Sequence, residues 1–114
     1  MHELSLALSL VEIAREEGAR LGGQVSAVHV RLGALAGVVR EALLSSYEMA
    51  SADTPLAGSR LVIEDVPVVV MCPQCGEQQL PDASYWMGCP ACGTPTPDVR
   101  QGRELELVAL EIDQ

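Results

Sequence analysis

From Leu4 to Arg20 the apolar positions follow a helical period. Ser5, Ser9, Glu12 and Glu16 recur at spacings of four, three and four and form one polar stripe. Leu4, Leu6, Leu8, Leu10, Val11 and Ile13 cover the rest of the surface. The pattern predicts an amphipathic helix over residues 4–20, ended by Gly18 and the Gly22-Gly23 pair, with its broad apolar surface buried as core. From Val25 to Leu32 the period changes to two. Ser26, Val28, Val30 and Leu32 fall on one face, and Val25, Ala27, His29 and Arg31 on the other, which predicts a strand. Gly33 and Gly37 bracket a turn. A second helix is expected from Val38 to about Ala50, with Val39, Ala42, Leu43, Tyr47 and Ala50 inward. Asp53-Thr54-Pro55 and Gly58 read as a loop, and Arg60–Val66 and Glu104–Ile112 as further strands. In the last strand Leu105 and Leu107 are out of phase with Leu110 and Ile112, which predicts a bulge near Val108 or Ala109.

Residues 67–102 fit neither period. They hold all four cysteines, in two knuckles, Cys72-Pro73-Gln74-Cys75-Gly76 and Cys89-Pro90-Ala91-Cys92-Gly93. Two sulfurs in a Cys-x-x-Cys pair lie close enough to share one ion, and the glycine after each pair permits the tight turn that aims backbone N–H groups at them. Two such pairs supply the four ligands of a closed tetrahedral site, so Cys72, Cys75, Cys89 and Cys92 point to structural Zn(II) ahead of iron. A pair of redox dithiols is the competing reading. A thioredoxin-like site has a single such motif at a strand–helix junction. The element order then gives an α/β class: two helices on a small three-stranded mixed sheet, with an inserted zinc-ribbon lobe. The expected division is 1–66 plus 103–114 for the α/β lobe and 67–102 for the ribbon.

Composition narrows the function. The chain has 114 residues, 48% of them hydrophobic, no Phe, and only Tyr47, Tyr85 and Trp86 as aromatics, so the core must be aliphatic. So little large-side-chain area gives a metal staple a purpose. The net charge of −9 opposes nucleic acid, which the basic footprint of nucleic-acid-binding ribbons would attract. The first dozen residues carry Glu3 and Glu12 and no basic region, so no signal peptide is expected, nor is any membrane span. Metal-committed thiols suit a reducing compartment, and a cytoplasmic location is expected.

The opening Met1-His2-Glu3 carries chemistry of its own. The Met1 amine, the His2 backbone nitrogen and the His2 ring could close fused chelate rings. Such a planar nitrogen set suits Ni(II) or Cu(II), with the Glu3 carboxylate nearby. On these residues alone, a solvated terminus is the plainer alternative.

This opening is followed in order by Val30-Arg31-Leu32-Gly33, Gly37, the two Cys-Pro-x-Cys-Gly knuckles and Gly102-Arg103-Glu104-Leu105. Over essentially its full length the chain thereby resembles the HypA/HybF family of hydrogenase nickel-insertion accessory proteins. The resemblance implies a metallochaperone, not an enzyme. It implies transient Ni(II) at His2 with Met1 and Glu3, structural zinc on the four cysteines, and delivery to a hydrogenase large-subunit precursor with the GTPase HypB as partner. Family members often have acids where this chain has Ala34 and Val39, and some lend a zinc-lobe histidine to nickel. Here Glu41 is kept and that histidine is missing, so the nickel set would be completed by Glu3, water or a partner. His29 reads as a surface or sheet-edge residue, and Glu104, Glu106, Glu111 and Asp113 as a solvated face. The sequence does not choose between hydrogenase and another nickel enzyme such as urease. A zinc-ribbon adaptor that only binds proteins, or a small dithiol oxidoreductase, are the competing classes.

Overall fold

A computed structural model describes residues 2–80, 88–96 and 98–114. Helix α1 spans Glu3–Leu21 and buries Ala7, Leu10, Val11, Ala14 and Gly18, a run at three- and four-residue intervals. It stops at Gly22, which takes the left-handed conformation (φ 70). There the N–H groups of Gly22 and Gly23 donate to the Ala19 and Gly18 carbonyls. Not all of the apolar surface is core. Leu4, Leu8 and Ile13 are 42%, 51% and 48% exposed, because α1 packs along one side against α2 and leaves the rest of its wide apolar arc open.

Strand β1 is Gln24–Gly33, helix α2 Arg40–Ser51, and strand β2 Arg60–Val66. Helix α2 buries Leu43, Tyr47, Ala50 and Ser51. Val39 is not inward as expected. It is the cap residue before the helix, in extended conformation, and it is 58% exposed. The buried Tyr47 hydroxyl is satisfied by Ser59 Oγ at 2.6 Å. In β1 the strict alternation fails at Ala27–Val28 and at Leu32–Gly33, where consecutive residues are buried, and His29 and Arg31 are half-buried. The last strand, β6 (Leu105–Asp113), slips in the predicted place: Val108 and Ala109 are both exposed between the half-buried Leu107 and Leu110.

The strands β2, β1 and β6 form a three-stranded sheet in that order. Gln24 at the start of β1 reaches the Pro55 carbonyl ahead of β2, and the Ala34 N–H after β1 reaches the Val66 carbonyl at the end of β2, so these two strands run parallel. Ser26 Oγ donates to the Glu111 carbonyl near the far end of β6, so β6 is antiparallel and the sheet is mixed. Short strands β3 (Val69–Met71), β4 (Gln78–Gln79) and β5 (Val99–Gln101) make a second sheet with β3 in the middle, antiparallel to both neighbours. The chain divides into two compact units. One comprises Met1–Val30, Gly37–Glu64 and Glu106–Gln114, and the other Arg31–Ala36 and Asp65–Leu105.

Within the second unit two glycines meet where side chains cannot. Gly102 has φ 120, and a Cβ there would lie 2.9 Å from Val68 Cα. A Cβ on Gly33 would run into the Gly102 carbonyl. That carbonyl accepts the Leu35 N–H at 2.7 Å, while the Gly102 N–H donates to Glu104 Oε1 at 2.6 Å. Gly102→Ala is therefore expected to cost about 2–3 kcal/mol, through backbone strain and lost hydrogen bonds. It should appear as a lower urea midpoint, and an unchanged midpoint would mean that this crossing has room for a side chain.

Candidate metal centres

The two knuckles are built alike. In each, the first cysteine's N–H donates five residues ahead (Cys72 to the Glu77 carbonyl, 3.0 Å; Cys89 to the Thr94 carbonyl, 2.9 Å). The glycine after each second cysteine donates back to the first (Gly76 to Cys72, 2.9 Å; Gly93 to Cys89, 2.8 Å). Gly76 and Gly93 both have positive φ, 70 and 75, which closes the turn without the Cβ penalty. The Cys75 N–H donates to Cys72 Sγ at 3.3 Å, the kind of contact expected of such a turn.

These turns bring all four sulfurs within 4.8 Å of one another. Cys92 Sγ is 3.6 Å from both Cys72 Sγ and Cys75 Sγ, and Cys75 Sγ is 4.0 Å from Cys89 Sγ. Zinc–sulfur bonds of about 2.3 Å in a tetrahedron give sulfur–sulfur edges of about 3.8 Å, so the donor set fits a four-thiolate zinc site. Cys72 and Cys89 are buried, and Cys75 and Cys92 exposed. Thr94 Oγ1 lies 3.1 Å from Cys92 Sγ. The Thr94 hydroxyl, then its backbone N–H, stabilise the thiolate and hold the Cys92 thiol down to about 6. Cys75 is pushed up to about 12, chiefly by the sulfur contact to Cys92. Crowded sulfurs that cannot all ionise together are what a dication relieves. Thr94 had one sequence signal, a hydroxyl two residues after a knuckle's last cysteine.

No second cluster of three or more His, Cys, Asp or Glu donors occurs among the described residues. At the N-terminus, His2 is exposed and caps α1 through its backbone: its carbonyl accepts the Leu6 N–H at 3.2 Å. Met1 lies outside the described residues, as do Tyr85 and Trp86. Glu3 Oε2 accepts the Val39 N–H at 3.2 Å, tying the first turn of α1 to the residue before α2. That bond, and then its own amide, hold the Glu3 carboxyl below the usual carboxylate range. The link joins residues 36 apart in sequence and leaves no local signal. Glu41 is exposed in the first turn of α2.

His29 is on the central strand, not at a sheet edge. Its Nε2 lies 2.6 Å from Glu111 Oε2, which Arg60 also approaches at 3.4 Å. The acids of the last strand are thus more than a solvated face: Glu111 joins all three strands, and Glu104 holds Gly102.

A family model described as "Hydrogenase/urease nickel incorporation, metallochaperone, hypA" matches residues 1–112. The chain belongs to the HypA family. A relative named hydrogenase maturation factor HypA, from Chloroflexus aurantiacus, is 51% identical over 97% of this chain and 98% of its own. One of the same name from Deinococcus radiodurans is 48% identical over 94% and 89%. The solution structure of the Ni metallochaperone HypA from Helicobacter pylori aligns with a TM-score of 0.65 over 98% of this chain and 97% of its own. At 24% identity that likeness bears on the fold, and it agrees with the two helices and two small sheets described above. In this HypA-family chain the four cysteines converge as the spacing predicted. No helix of the described residues is long and apolar enough to cross a membrane.

Proposed function

We propose that this protein is a non-enzymatic nickel carrier. It binds Ni(II) through Met1, His2 and Glu3 and delivers it during [NiFe]-hydrogenase maturation in the cytoplasm. Its partners are the hydrogenase large-subunit precursor and the nickel-handling GTPase HypB. The nickel role belongs to the lobe that carries α1 and α2. Residues 67–102 form a lobe in which Cys72, Cys75, Cys89 and Cys92 would hold structural zinc.

The observation that carries the nickel site is the contrast between the two histidines. His29 is engaged by Glu111, whereas the His2 ring is exposed and hydrogen-bonds to no other described residue. With all four thiols gathered in one cluster, His2 offers an imidazole donor that remains open to a mobile ion. The carboxylate of Glu3 already holds the Val39 N–H, so its side chain steadies the first turn beside the chelate.

The experiment exploits an unusual composition. All seven basic residues are arginine, so the terminal amine is the chain's sole primary amine. Acetylating the untagged protein with an activated ester is expected to abolish nickel uptake in equilibrium dialysis while leaving one zinc per chain. Full nickel binding after acetylation would remove the amine from the site. A native chain that takes up zinc but no nickel would instead favour a zinc-ribbon adaptor.

A further inference from the structure

Two of the four large apolar residues that α1 leaves uncovered are neighbours. Leu4 and Leu8 stand one turn apart, and from Leu8 an open groove runs along the seam between α1 and α2. Its floor includes Leu8, Val11 and Ala50, and its rim Glu12, Arg15 and Glu16. No buried polar group among the described residues lies in it to orient a small molecule. An apolar strip parallel to a helix axis instead matches the ridge of a second helix laid into it.

Charge selects the occupant. Glu12 and Glu16 are exposed and make no ion pair with any other described residue, and Arg15 stands between them, so the rim is net acidic. Two copies of the seam would set acid against acid in a chain of charge −9. We infer that the α1–α2 seam is a docking groove for a basic amphipathic helix of a partner protein. The groove starts on the same helix whose first residues are His2 and Glu3. A helix seated there would be held beside the N-terminus, where a metal is to be handed over. In that purpose the inference rests on the nickel-carrier reading, although its test does not.

The probe is a fluorescein-labelled helical peptide with a leucine stripe flanked by arginines, read by fluorescence anisotropy against the whole protein. Its control carries glutamates in place of the arginines. Leu8→Asp should weaken binding of the arginine peptide by about 10-fold or more. Ile13→Asp is the matched control, since Ile13 is 48% exposed on the same helix but does not line the groove, and it should stay within about twofold. The glutamate peptide should bind at least about 10-fold more weakly than the arginine peptide. Equal binding by Leu8→Asp and the native chain, equal binding of the two peptides, or no binding at all would overturn the proposal. So would a native dimer in sedimentation that Leu8→Asp dissolves, because the seam would then be a self-interface. Circular dichroism and zinc content of Leu8→Asp, both expected at native values, exclude misfolding. Nickel dialysis on the same samples keeps the two readings apart: a chain that binds the arginine peptide but no nickel loses only the carrier reading.

Discussion

Replacing Cys92 with serine is expected to empty the ribbon site and loosen the unit around it, while both helices persist. Structural zinc contributes about 10–16 kcal/mol in zinc-finger peptides, and that binding energy is also folding energy, so a serine that removes one thiolate and loosens the unit weakens the hold on zinc by more than its own bond. The regular structure of the second unit is short. Its sheet consists of strands of three, two and three residues, and each knuckle closes through two backbone hydrogen bonds. Cys92 is the better test position because it is exposed, whereas Cys72 is buried and its serine variant would add the cost of a misplaced hydroxyl. The expected readouts are a loss of zinc in elemental analysis and a shift of the emission of Trp86, the only tryptophan, which lies between the knuckles in sequence. Far-ultraviolet circular dichroism should retain its helical signal, since α1 and α2 both belong to the other unit. Stripping zinc from the native chain with a chelator should give the same spectra. Zinc uptake should also fail as the pH drops, because each ligand sulfur must lose its proton to bind. Full zinc content and unchanged Trp86 emission in Cys92→Ser would rule out a structural four-cysteine site.

What could be read from the chain follows the strength of local signals. Helix α1 announces itself through period, and β2 begins and ends at the expected Arg60 and Val66. The cysteine cluster was legible because knuckle spacing is itself a geometric statement. Period alone fails where packing is decided by a neighbour. The wide apolar arc of α1 does not say that only one side meets α2, so Leu4, Leu8 and Ile13 fit a core pattern but do not enter the core. Val39 fits the inward phase of α2 but precedes its first turn, where phase has no meaning. In β1 the pair Ala27–Val28 breaks an alternation that the residue types alone make look regular. Strands of two or three residues, such as β3, β4 and β5, are too short to show any period. The remaining contacts are tertiary: the Glu3–Val39 bond, the Gly33–Gly102 crossing and the His29–Glu111–Arg60 row join distant residues, and no window of sequence contains them.

His2→Ala is expected to abolish nickel binding and leave zinc content, fold and thermal midpoint at native values. The separation follows from position. His2 is exposed, serves α1 only through its backbone carbonyl, and makes no side-chain hydrogen bond to another described residue, so alanine removes the imidazole and little else. The capping carbonyl is kept in the variant, so the helix start should survive. Glu3→Gln offers a contrast: an amide oxygen can still accept the Val39 N–H, and nickel affinity should fall far less than in His2→Ala. The pH dependence provides a second, independent check. Nickel must displace protons from amine and imidazole alike, so affinity should fall as the pH drops. The sign is fixed: acid weakens binding, because only the deprotonated nitrogens carry lone pairs for the ion. In His2→Ala any residual uptake should lose the imidazole's share of this slope. Nickel bound by His2→Ala as tightly as by the native chain, with the same pH profile, would place the cargo site elsewhere. Because zinc and fold are measured on the same sample, such a result could not be blamed on a damaged protein.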